Sequence, residues 1–168
     1  MPGNTPEDPV EQSLETTLAE FEYALWHLGA AFSRWRRDCF AAVCDLNLSG
    51  TEASILHVLY MTNRSAKGVM EISRLLHRDD LPNLQYALKK LLQLGLIEKR
   101  GSARKTMMYE ISSEGRDLVE AYQAKRRGTL LRLFRQMPEA PGGMESMVTS
   151  MHLLVGMYDQ AGDMLLNR

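Results

Sequence analysis

Two cysteines in 168 residues are too few for a disulfide framework, and the compartment they fit is a reducing cytoplasm. No apolar run is longer than a few residues, which excludes a membrane-spanning helix and makes a membrane partner unexpected. Residues 1–10 hold three prolines and two acids without a basic start or an apolar stretch, so no secretory signal is expected there. The four histidines, His27, His57, His77 and His152, are scattered and lack the HExxH or paired Cys/His spacing of a zinc site. A phosphate-binding glycine loop, a Gly-x-Ser-x-Gly elbow and a paired-carboxylate constellation are all missing. Neither enzyme activity nor a cofactor is therefore expected. What remains, 45% hydrophobic and 24% charged, is the composition of a soluble globular protein with an ordinary core.

The net charge is only −1, but its distribution is uneven. Residues 64–105 carry ten Lys and Arg against Glu71, Asp79, Asp80 and Glu98, a local charge of +6, so the rest of the chain carries −7. The first 33 residues have six acids and no Lys or Arg. A basic centre between acidic ends is what a polyanion-facing module mounted on a scaffold would show, although a solvated lysine-rich face produces the same count.

Both ends read as long amphipathic helices. Over residues 10–46, Leu14, Phe21, Leu28 and Trp35 recur every seven positions, interleaved with Leu18, Leu25, Phe32 and Cys39. This is the a/d seam of a helix lying along another helix. At 1.5 Å per residue such a helix runs roughly 50 Å, more than one small globule covers. A second helix is expected over residues 113–137, interrupted in composition by Gly128. Beyond a break at Pro138, Pro141, Gly142 and Gly143, a third carries Met144, Met151, Tyr158 and Leu165 on one row. Met147/Val148, Leu154/Val155 and Ala161/Gly162 form its other row. The arrangement predicts an intertwined homodimer through Leu14, Leu18, Phe21, Leu25, Met147, Met151, Leu154, Tyr158 and Leu165. A single-chain helical bundle is the alternative.

The centre is made of short, punctuated elements. Ser49 and Glu52 are spaced as a capping box, opening a helix that runs to about Met61 with Ile55, Leu56 and Leu59 inward. A second short helix carries Val69, Ile72, Leu75 and Leu76. A third is capped by Asp80, with Asp79 the other candidate, and tolerates Pro82 in its first turn. Leu84, Leu88, Leu91 and Leu92 form its inward stripe and Gly95 its stop. Residues 96–100 and 107–111 then read as strands around a polar, basic turn, Gly-Ser-Ala-Arg-Lys-Thr.

Helix, helix, helix, strand, basic loop, strand is the order of a winged helix-turn-helix. Residues 88–100, Leu-Lys-Lys-Leu-Leu-Gln-Leu-Gly-Leu-Ile-Glu-Lys-Arg, and residues 109–115, Tyr-Glu-Ile-Ser-Ser-Glu-Gly, carry a more specific likeness. Residues 48–115 resemble the winged-helix domain of the MarR family of bacterial transcription regulators, and the flanking helices match that family's dimerisation layout. The fold class expected is mainly α with a small β-hairpin wing (α+β). Its parts would be a flexible tail (1–10), an N-terminal dimerisation helix (11–47), the winged helix-turn-helix (48–112) and C-terminal dimerisation helices (113–168). Two features depart from the family. Its wing is usually braced by an Asp-x-Arg pair, but Ala103 and Lys105 occupy those positions here, and the turn before the third short helix is one residue longer.

An α-helix fits the major groove of double-stranded DNA if its outward residues can hydrogen-bond base edges and phosphates. With the leucine stripe inward, Pro82, Asn83, Gln85, Tyr86, Lys89 and Lys90 face out. Asn and Gln suit adenine, and Lys suits guanine or phosphate. On the wing, Ser102, Arg104 and Lys105 are placed for the minor groove or its phosphates. The competing reading of this surface is a protein-interaction module without sequence-specific DNA binding. Arg34, Arg36 and Arg37 flank Trp35, where pairing with acidic helices competes with DNA contact.

The resemblance also implies a dimer that responds to a small-molecule effector or an oxidant, with the sign of a repressor. Trp26, Trp35, His57 and Tyr60 are the pocket candidates by location, against the plainer reading that they are core. Cys39 follows Arg36, Arg37 and Asp38 and is the redox candidate, since cations lower a thiol pKa. A buried inert thiol is the alternative.

Overall fold

The computed structural model describes residues 9–62, 65–101, 107–136 and 140–166. In chain order the elements are α1 (Pro9–Ala41), α2 (Gly50–Met61), β1 (Lys67–Gly68), α3 (Val69–Leu75), α4 (Leu81–Gln93), β2 (Ile97–Arg100), β3 (Met108–Ile111) and α5 (Ser113–Arg126). A π-helical turn (Arg127–Leu131), the short α6 (Arg132–Phe134) and α7 (Ala140–Leu166) follow. The chain divides into two compact units, residues 1–122 and 123–168.

In the first unit the local chemistry sets the boundaries. The Ser49 hydroxyl accepts the Glu52 N–H while the Glu52 carboxylate accepts the Ser49 N–H, so both halves of the capping box that opens α2 are made. Asp80 caps α4 by accepting the Asn83 N–H at 3.2 Å, and Pro82 sits in the first turn, where a missing N–H costs nothing. At the other end of α4 the Gly95 N–H reaches the Leu92 carbonyl and the Leu96 N–H reaches that of Leu91. With Gly95 at φ +70° this is a Schellman stop. The end of α3 repeats the pattern, His77 and Arg78 donating to Arg74 and Ser73, with His77 at φ +48° where glycine would be usual.

The hairpin is antiparallel, Ile97 opposite Ile111 and Arg100 opposite Met108. A two-residue strand that sequence reading did not anticipate completes the sheet as β1-β3-β2, Lys67 pairing with Tyr109. Two residues carry no alternation to detect. Ile55, Leu56 and Leu59 of α2, Ile72 of α3, Leu84, Leu88 and Leu91 of α4 and Val119 of α5 are fully buried, each contributing about 1.5–3 kcal/mol by leaving water. Leu92, assigned to the inward stripe, is only half-buried, and Ala87 takes its place.

Three helix limits differ from those expected. The first helix stops at Ala41 rather than near Leu46, and the chain beyond it turns so that Leu48 enters the core. The expected helix over residues 113–137 is divided by the π-helical turn around Gly128. The last helix starts at Ala140, so Pro141, Gly142 and Gly143 lie in its first turn instead of ahead of it. Residues 1–8, most of the expected tail, lie outside the described residues.

In α1, Leu14, Leu18, Leu25, Leu28 and Phe32 are each at least 42% exposed, and Phe21 is half-buried. In the second unit, Met147, Met151, Tyr158 and Leu165 of α7 are exposed and Leu154 is half-buried. The expected seams are therefore apolar surface on the single chain.

Candidate nucleic-acid interface

The surface of α4 follows from its buried stripe. With Leu84, Ala87, Leu88 and Leu91 inward, Pro82, Asn83, Gln85, Tyr86 and Lys89 are exposed, Tyr86 by 67%. Gln85 and Lys89, one turn apart, share a cleft of about 930 Å³ with Lys99 and Tyr109 of the hairpin, floored by Leu81 and Leu92. The helix and the hairpin thus present one concave surface. Burial raises the Tyr109 pKa above its ordinary value, keeping the phenol protonated as a donor.

Lys90 must be removed from the outward set. Its Nζ donates to the Asn47 carbonyl at 2.9 Å and to Glu52 Oε2 at 3.0 Å, and the Glu52 side chain is 3% exposed. A partner 38 residues away in sequence leaves no local signal. Other basic residues are likewise committed. Arg78 donates to Thr51 Oγ1 at 2.9 Å. Arg36 donates to Ser54 Oγ at 2.8 Å and the Gly50 carbonyl at 3.0 Å, with its guanidinium over the Phe32 ring. Burial lowers the Arg36 pKa; Tyr122 opposes that shift and Arg78 adds to it. Arg37 pairs with Asp38.

On the hairpin, Arg100 of β2 is held by Glu110 of β3, with Glu98 at 3.6 Å, and these acids raise its pKa. A cross-strand ion pair thus links β2 to β3 at the loop end of the two strands. Ser102, Arg104 and Lys105, the wing-tip candidates, lie outside the described residues.

The effector candidates are not brought together. Trp26 is 73% exposed on α1. Trp35 and His57 instead join an aromatic cluster with Phe40 and Tyr122, ring centroids 4.5–5.9 Å apart, and His57 Nδ1 lies 3.0 Å from the Ala53 carbonyl. Tyr60 faces elsewhere, its ring under the Arg116 guanidinium and its hydroxyl donating to Glu120 at 3.5 Å. The redox candidate Cys39 is buried at 6% exposure with Sγ 3.9 Å from the Tyr122 carbonyl. The arginines before it are turned to Ser54, Gly50 and Asp38, which removes the cationic, accessible setting that reactivity needs. Among the described residues no group of three or more His, Cys, Asp or Glu could hold a metal ion, and no helix is long and apolar enough to cross a membrane.

Residues 48–115 match the family described as "Winged helix DNA-binding domain". No curated protein matches the sequence. Among solved structures, a MarR family transcription regulator superposes with a TM-score of 0.69 at 15% identity, covering 90% of this chain and 97% of that one. Staphylococcus aureus MarR in complex with salicylate and kanamycin gives 0.71 at 14% identity, covering 88% and 96%. The S. aureus MepR–DNA complex gives 0.63 at 18%, covering 80% and 96%. The centre of the chain has the winged-helix fold of that family. Its fold, taken over nearly the whole chain, is that of the MarR family of transcription regulators.

Proposed function

We propose that this chain is a sequence-specific transcription regulator of the MarR type, binding double-stranded DNA as a homodimer. Each subunit places α4 in a major groove, with Asn83, Gln85, Tyr86 and Lys89 facing base edges and phosphates and Pro82 at the entering end. Ser102, Arg104 and Lys105 extend the contact from the wing. The observation that carries the reading is the exposed Gln85–Lys89 face of α4 sharing one concave surface with Lys99 and Tyr109 of the hairpin.

The dimer is supported by the exposed seams of α1 and α7. Two-fold symmetry would set the half-sites of a pseudo-palindromic operator about 34–36 Å apart. The protein acts as a repressor, and a small molecule releases it by shifting the population of DNA-competent dimers. A MarR solved with salicylate supports the effector. The burial of Cys39 turns this reading away from an oxidant.

The test is fluorescence anisotropy across a salt series, using a duplex selected from a random-sequence library and a scrambled duplex. Tight binding to the selected duplex that resists the scrambled competitor and is lost in Gln85→Ala is expected. Equal, weak binding to both would overturn the reading in favour of a protein-interaction module.

A further inference from the structure

Lys90 neighbours Lys89 in sequence yet serves a different purpose. Glu52 Oε2 accepts both the Ser49 N–H at 2.9 Å and Lys90 Nζ at 3.0 Å, so one nearly buried oxygen joins the first turn of α2 to the last turn of α4. Lys90 also donates to the Asn47 carbonyl at 2.9 Å. The apolar contacts of Leu84, Ala87, Leu88 and Leu91 hold α4 against the core but are non-directional. Charge-assisted hydrogen bonds from Lys90 to two fixed acceptors tether that turn of α4 to α2 and to Asn47, and so oppose rotation of the helix about its axis. That rotation decides where Gln85, Tyr86 and Lys89 point. With two of its three N–H donors given to Asn47 and Glu52, the Lys90 ammonium is held toward α2 and is poorly placed to displace a counterion from DNA.

We propose that the Glu52–Lys90 pair is a specificity-determining brace, a positioning pair that sets the orientation of α4 for base readout without itself touching DNA. This rests on the DNA-binding function proposed above. The test compares wild type, Lys90→Met, Glu52→Gln, the double variant and Lys90→Arg on the library-selected and scrambled duplexes across a salt series, with thermal melts confirming each fold. In Lys90→Met the ratio of selected to scrambled affinity is expected to fall about tenfold while the slope of log affinity against log salt stays at the wild-type value. The double variant is expected to be no worse than Lys90→Met, as members of one pair are not additive, and Lys90→Arg to recover part of the ratio.

A Lys90→Met slope shallower by about 0.9, with both duplexes weakened alike, would make Lys90 a phosphate contact and overturn the brace. An unchanged ratio would overturn it as well. If Lys90→Met does not fold, Lys90→Gln, which keeps a donor toward Asn47, carries the same comparison. Wild type without preference between the duplexes would instead defeat the DNA-binding reading, which separates that failure from failure of the brace.

Discussion

Gly115 lies so close to the Leu96 carbonyl that a Cβ added to it would stand 2.0 Å from the oxygen and 3.0 Å from Ile111 Cγ1. This contact joins the first turn of α5 to the start of the hairpin. Ser112 tightens the same corner: its hydroxyl donates to the Gly95 carbonyl at 2.7 Å and accepts the Gly115 N–H at 3.0 Å, and its own N–H reaches the Leu96 carbonyl. The end of α4, the hairpin and the start of α5 are fixed together, so the hairpin keeps its place beside the α4 surface.

Gly115→Ala therefore separates packing from propensity. Within a helix alanine is favoured over glycine by up to about 1 kcal/mol, yet here the obstruction is backbone and cannot swing aside. The variant is expected to lose about 1–3 kcal/mol, the usual cost of overpacking. Urea unfolding would show it as a lower midpoint at unchanged slope. A midpoint at or above wild type would mean that the corner relaxes freely.

How much of this was legible in sequence depends on the range of each interaction. Ser49 with Glu52, Asp80 with Pro82, and Gly95 were readable because a cap is a matter of three or four consecutive residues. The leucine stripe of α4 was readable from its period, and so was the exposure of Gln85, Tyr86 and Lys89. Lys90 was misplaced because its partner Glu52 lies on another helix and a lysine looks the same whichever way it points. Trp35 and His57 are pocket candidates by type and location, and what the sequence does not give is their half-buried packing against Phe40 and Tyr122, which comes from another helix. Strand β1 went unread because Lys67 and Gly68 form a strand only by pairing with β3.

The start of α5 also makes a pH prediction. Hydrogen bonds from the Glu114 backbone N–H, then from the Ser113 hydroxyl, lower the Glu114 pKa below its ordinary value. A carboxylate with a depressed folded-state pKa stabilises the fold above its unfolded pKa and loses that contribution as pH falls through the folded value. Glu114→Gln is expected to flatten the acid limb of melting temperature against pH and leave the neutral-to-alkaline part parallel to wild type. The check is a set of thermal melts across the acid range. An acid limb as steep as wild type would count against the assignment.

The two thiols should differ in kinetics. Cys39 is buried and Cys44 half-buried. A disulfide-exchange reagent needs an accessible thiolate, so one thiol is expected to label quickly in the native protein and the other only as fast as the protein opens. Cys44→Ser should abolish the fast phase and Cys39→Ser the slow one. Rapid labelling in Cys44→Ser would show that Cys39 is reachable and restore the redox reading that its burial removes.

The exposed seam of α1 makes the final prediction, one about assembly. Leu14, Leu18, Leu25, Leu28 and Phe32 are 68%, 51%, 42%, 52% and 50% exposed, spaced in steps of three, four and seven along the helix. Burying one leucine side chain contributes about 1.5–3 kcal/mol, so a handful on each subunit of a dimer is enough to hold it. A carboxylate in the middle of such a seam has to be desolvated twice, once in each copy. Wild type is expected to sediment at twice the 19.1 kDa of the chain, and Leu18→Glu at the mass of one chain. A Leu18→Glu protein that keeps its helical circular dichroism while halving its mass would locate the interface on α1. A wild type that sediments as a single chain would instead leave the seam to another partner, and the paired half-sites of the operator would lose their basis.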